Sequence, residues 1–100
     1  MDPAIPDINI SDVVMTTAGR DAGHWFYVID ADPVFLFLAN GKDRTLEKPK
    51  RKKSKHVKKV LRAETRVAQK LSSGDKVLNS ELRRDLATFG QQFNSQNQGG

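Results

Sequence analysis

The sequence predicts a mainly-β fold, a small β-barrel followed by a C-terminal α-helical segment. Three observations lead there. Short runs rich in β-branched and aromatic residues alternate with Gly, Pro and Asn turn signals through residues 11–60. After residue 60 the apolar spacing turns from strand-like to helical. The chain has 100 residues, 37% of them hydrophobic, which allows one small core and no cleft between two lobes. Four or five strands this short cannot form a two-sheet sandwich. Curling into a barrel buries their edges.

Residues 1–10, "MDPAIPDINI", hold two Pro and two Asp and are expected to form an N-terminal arm. The first strand is predicted over 12–18, "DVVMTTA". Gly19 and Gly23 then bracket a turn, since Gly tolerates the positive φ that tight turns need. A second strand follows over 24–30, "HWFYVID", with Trp25, Tyr27 and Ile29 on one face and Phe26 and Val28 on the other. Phe26 and Val28 are expected to fill the barrel, with Trp25 or Tyr27 nearer a surface. "ADP" turns the chain, and Asp30 and Asp32 read as turn residues. The third strand is 34–39, "VFLFLA". Asn40–Gly41 is the strongest hairpin signal in the chain and predicts a fourth strand over 42–47, "KDRTLE". A fifth is expected at 55–60, "KHVKKV".

Residues 61–90 form the helical extension. Leu61, Val67 or Ala68, and Leu71 lie near helical spacing before "SGD" breaks the pattern. Asn79 or Ser80 then caps a second helix, with Leu78, Leu82, Leu86 and Phe89 on one face and Gly90 as its stop. Residues 91–100, "QQFNSQNQGG", read as a disordered tail. Both faces of "VFLFL" are apolar, so one fills the barrel and the other needs a cover. The second helix is the nearest candidate within the chain.

The net charge of +5 hides a sharp segregation. Residues 1–41 carry Arg20 as their only cation against six Asp, whereas residues 42–70 carry thirteen cations against Asp43, Glu47 and Glu64. The densest stretch is 48–59, "KPKRKKSKHVKK", with eight Lys or Arg and no acid. Its natural complement is a polyanion.

The Val-rich strand, Gly19, three residues, Gly23 and a second apolar strand resemble the KOW motif. The resemblance extends over residues 12–60, through "NGKDRTLEKPKRKKSKHV", and is closest to KOW-domain RNA-binding proteins akin to large-subunit ribosomal proteins of the archaeal and eukaryotic type. It implies an SH3-like β-barrel and binding to RNA, often ribosomal RNA, with no enzyme activity and no cofactor. Two positions depart from the pattern: Ala22 stands where a second basic residue is usual, and Ser11 stands where many relatives have Gly.

On this reading the loop contributes Arg20. The hairpin region contributes Lys42 and Arg44. The tract contributes Lys48, Lys50, Arg51, Lys52, Lys53 and Lys55, continued by His56, Lys58 and Lys59. Lys and Arg that neutralise phosphates release condensed counterions, so affinity follows charge density. Arg44 and Arg51 also suit stacking on unpaired bases. Gly19, Gly23, Asn40 and Gly41 are assigned to structural turns.

No metal site is indicated: there is no Cys, and His24 and His56 have no ligand spacing around them. No nucleophile elbow, acid–base pair or phosphate loop is present, so no enzyme activity, small-molecule substrate or cofactor is expected. No apolar run approaches the ~20 residues of a membrane span, and a cytoplasmic location without membrane partners is expected. The alternative function is a protein-interaction module of the transcription or translation machinery. It would dock ribosomal or other proteins through "VFLFL" and the Leu82, Leu86 and Phe89 face of the C-terminal helix.

Overall fold

The computed structural model describes residues 8–20 and 22–98. Five strands are present: β1 (Asp12–Thr16), β2 (Trp25–Ala31), β3 (Phe35–Ala39), β4 (Lys50–Lys53) and β5 (Val57–Arg62). They form one antiparallel sheet in the order β4-β3-β2-β1-β5, followed by helices α1 (Arg66–Ser73) and α2 (Asn79–Gln98). The sheet is open, with β4 and β5 as its edges, so a closed barrel is not what the strand pairing forms. A 3-10 turn at Ser54–His56 spans from one edge toward the other. Ser54 N donates to Val34 O at 3.2 Å, and His56 O accepts from Thr17 N at 2.9 Å. Register shifts between Val28 and Asp30 on β2, and between Val13 and Val14 on β1, bend the sheet as bulges do.

Strand alternation divides the apolar residues between two faces. On one, Val14, Phe26, Val28, Leu36, Leu38 and Val57 form a buried cluster, with Ile8 packed against it. On the other, Val13, Tyr27 and Ala39 join Ala63, Val67, Ala68 and Leu82. The register explains the split: Val13 pairs with Tyr27 and Val14 with Phe26, and residues directly opposite share a face. Phe26 and Val28 therefore lie where the pattern put them. Of Trp25 and Tyr27 it is Trp25, half-buried, that lies nearer the surface; Tyr27 is fully buried, because the helices cover its face.

That cover is tied down by hydrogen bonds as well as packing. The Tyr27 hydroxyl donates to Asp85 Oδ2 at 2.7 Å, and Thr65 Oγ1 donates to the same oxygen at 2.7 Å. Burial pushes the Tyr27 pKa well above its ordinary value. Thr65 also caps α1, accepting from Ala68 N at 3.2 Å, and Gly74 ends α1 with φ +80°. Leu82 is fully buried, and Leu86 and Phe89 pack on the same cluster. The apolar face of α2 is thus used on the chain's own core.

Three boundaries differ from expectation. No strand forms over 42–47. The Asn40 side chain accepts from Lys42 N and Arg44 N, Arg44 O accepts from Asn40 N and Gly41 N, and Leu46 N donates to Asn79 Oδ1. The backbone there is committed to a local turn and to α2, and the partner of β3 is the basic run Lys50–Lys53 itself. Gly41 is nonetheless a turn residue, with φ +78° and no room for a side chain beneath the Asn79 carbonyl. Secondly, α2 runs through Gly90, the expected stop, to Gln98, so residues 91–98 of the tail expected to be disordered continue as helix, and residues 99–100 lie outside the described residues. Phe93 meets Trp25 edge-to-face at 5.5 Å, extending the apolar stripe one turn past Phe89. Thirdly, β5 begins at Val57 and reaches Arg62, so residues 55 and 56 form the 3-10 turn and Leu61, expected in the helical extension, lies in a strand. The described part of the arm docks on the sheet. Ile8 packs on the core, and Ser11 N donates to Val28 O at 2.8 Å. Residues 1–7 lie outside the described residues.

Candidate nucleic-acid interface

The basic tract is part of the sheet rather than a free ribbon. In β4, Lys50 and Lys52 lie opposite Leu38 and Leu36, so they share the face of the inner cluster and are half-buried. Arg51 and Lys53 lie opposite Phe37 and Phe35 on the outer face and are exposed. The alternation lets Lys50 and Lys52 lay their aliphatic stems over the core while Arg51 and Lys53 face water. Lys at a sheet edge also discourages pairing with another chain.

The Gly19–Gly23 loop is drawn onto this tract. Both glycines have positive φ, +86° and +88°, as a tight turn between β1 and β2 requires. Lys52 Nζ donates to Ala18 O at 2.8 Å, and a Cβ on Gly19 would lie 3.1 Å from that ammonium. Thr17 N donates to His56 O at 2.9 Å. Two bonds therefore fasten the loop to the tract, one at β4 and one at the 3-10 turn. Arg20, Lys53, Lys55 and Lys58 are exposed, as is Lys48 at the entrance to β4.

Other predicted residues have different positions. Lys59 pairs with the buried Asp12 at 3.2 Å, which places its charge inside the fold's own electrostatics. His56 is half-buried and contributes its carbonyl to the junction. Lys42 and Arg44 belong to the 40–49 loop, which is held to α2 by Arg83 Nη1 donating to Gly41 O at 2.6 Å and by Asn79 Nδ2 donating to Glu47 at 2.9 Å.

One feature escapes a reading of charge alone. The Arg51 guanidinium lies 4.5 Å from the centre of the Phe35 ring. The cue in the sequence is the pair of alternate Phe in "VFLFL" together with an Arg in the tract, but it becomes visible only once the strand opposite β3 is known to be 50–53 rather than 42–47. No helix is long and apolar enough to cross a membrane, and no group of His, Cys, Asp and Glu that could hold a metal occurs, among the described residues.

No family model matches the chain, and no curated protein matches it significantly.

Proposed function

We propose that this chain is a non-catalytic RNA-binding module of the KOW type, an SH3-like barrel that grips the phosphate backbone of RNA, ribosomal RNA in particular, with its basic tract and its Gly19–Gly23 loop. The observation that carries the reading is the double fastening of the loop to the tract, Lys52 to Ala18 and Thr17 to His56. It ties the segment leading into the loop of Arg20 to the tract that carries Lys53, Lys55 and Lys58, although the sequence separates Arg20 from the rest by more than thirty residues. Clustered exposed cations with few acids among them favour a polyanion over a neutral partner. The strand order, with β5 beside β1 and a 3-10 turn leading into β5, agrees with an SH3-like roll that stays unclosed between β4 and β5. Recognition would rest on charge and shape, with no cofactor and no small-molecule substrate, at a cytoplasmic ribosome.

The docking alternative loses much of its surface, because Leu82, Leu86 and Phe89 are committed to the core. The test is sedimentation of the purified protein with ribosomal subunits. Co-sedimentation at physiological salt and release at high salt is expected. Binding that persists undiminished at high salt, or no binding at low salt, overturns the reading.

A further inference from the structure

Phe35 and Phe37 lie on the face of β3 that carries Ala39, yet the helices serve only Ala39. Ala39 belongs to the helix-covered cluster, whereas Phe35 and Phe37 belong to neither core cluster and remain half-exposed. Two aromatic side chains at i and i+2 of a strand stand about 6.6 Å apart along it, facing the same way. Arg51, opposite Phe37, reaches diagonally over Phe35. Lys53 lies opposite Phe35, and beyond it a shallow hollow of about 320 Å³ is lined by Pro33, Val34, Lys53, Ser54 and Lys55. The exposed Val34 extends the apolar strip into that hollow.

We infer that the Phe35–Phe37 strip, with Arg51, is a stacking platform for unpaired bases, so that the RNA this module takes presents a single-stranded segment. The inference rests on the RNA-binding reading and narrows it to a class of RNA. Aromatic rings beside cations suit a strand whose bases are splayed out, because every base has a π-face and every linkage a charge. A duplex hides its bases and would use only the cations.

The charges around the strip also set an orientation. Arg51, Lys53 and Lys55 line the β4 side, while Asp30 pairs with Phe37 from β2 and Asp32 lies near Arg51. Asp32 is already engaged, accepting from Val34 N and Phe35 N. With Asp30 on the β2 side, the cations along β4 hold phosphates along β4 and direct bases across β3. The Arg51 guanidinium plane offers a second stacking surface, its charge still facing the backbone.

The test uses the full chain and two probes of equal phosphate number: an oligouridine of about a dozen nucleotides carrying one 2-aminopurine, and a fully paired hairpin. Wild type is compared with the double variant Phe35→Leu and Phe37→Leu, which keeps apolar bulk on the strand, and with Arg51→Lys, which keeps the charge and loses the plane. Thermal melting confirms that each variant folds. The expected result is quenching of 2-aminopurine by wild type. The double variant should lose that quenching and bind the oligouridine at least tenfold more weakly, with hairpin affinity unchanged. Arg51→Lys should weaken oligouridine binding while leaving its salt slope intact. Equal binding and quenching by wild type and the double variant overturns the platform while the RNA reading stands, and leaves this face to a polypeptide. Failure of wild type to bind either probe at low salt overturns both.

Discussion

Replacing Tyr27 by Phe removes one oxygen and nothing else from the junction of sheet and helices. The ring keeps its burial and its edge-to-face partner Phe89, whose centre lies 6.3 Å away. What disappears is chiefly the 2.7 Å bond from the hydroxyl to Asp85 Oδ2, with a longer 3.3 Å contact to Thr65 Oγ1. A hydrogen bond to a charged group contributes about 1.5–3 kcal/mol. Thr65 still donates to that oxygen at 2.7 Å and Asp85 is only partly buried, so the carboxylate is not orphaned and the lower end applies, about 1.5 kcal/mol. For a domain of this size that corresponds to a fall in Tm of about 6–12 °C. Circular-dichroism melting of Tyr27→Phe measures it. A cycle with Asp85→Ala isolates the pair, and Tyr27→Phe should then cost almost nothing further. A Tm within about 2 °C of wild type for Tyr27→Phe would show that the hydroxyl does not hold α2 to the sheet.

Other changes follow from the backbone. Gly41→Ala forces a Cβ into the Asn79 carbonyl at positive φ and should cost at least about 3 kcal/mol, read by urea unfolding. Ser11 has φ +80° and accepts from Ser72 Oγ at 3.0 Å. Ser11→Ala and Ser11→Gly both lose that bond, but only Gly relieves the strain, so the Gly variant should be more stable by about 1 kcal/mol in paired melts. Tyr27 is the only tyrosine, and its folded pKa is raised above the ordinary 10.0. Its contribution to stability is complete below that value and declines as pH rises beyond it, so tyrosinate absorbance should appear only together with alkaline unfolding. A separate phenolate step in the folded protein would contradict the burial.

Much of the fold was legible where local chemistry decides it. The glycine turn at 19–23 and the alternation of Phe26 and Val28 against Trp25 and Tyr27 follow from the residues themselves, and α2 starts near the expected place, although Asn79 lies within it and spends its side chain on Leu46 N and Glu47 rather than as a cap. The failures share a cause. Asn40–Gly41 has the chemistry of a two-residue hairpin, but Asn79 and Arg83, far along the chain, bind the backbone of the 40–49 loop and withdraw it from the sheet. Lys50–Lys53 then takes the vacant place beside β3, though runs of Lys rarely read as strand. Gly90 has no neighbour within 4 Å of a notional Cβ, so it neither needs nor enforces a turn, and the Trp25–Phe93 contact carries α2 past it. Ser11 holds a positive φ, +80°, which nothing in its residue type announces. The candidate interface was legible as charge. Its geometry, a loop fastened to an edge strand with two Phe beside an Arg, needed the register.

The most direct test is the salt dependence of affinity for single-stranded RNA, measured by filter binding. Arg20, Lys48, Arg51, Lys53, Lys55 and Lys58 are the exposed cations of the loop and tract. At about −0.7 per phosphate contact on a single strand, full engagement gives a log–log slope near −4. Changing Lys48, Lys53, Lys55 and Lys58 to Ala should flatten it to about −1.4 and weaken binding without unfolding, since none of the four carries a core contact. A slope near zero in the wild type, or one unmoved by those four changes, would contradict the account.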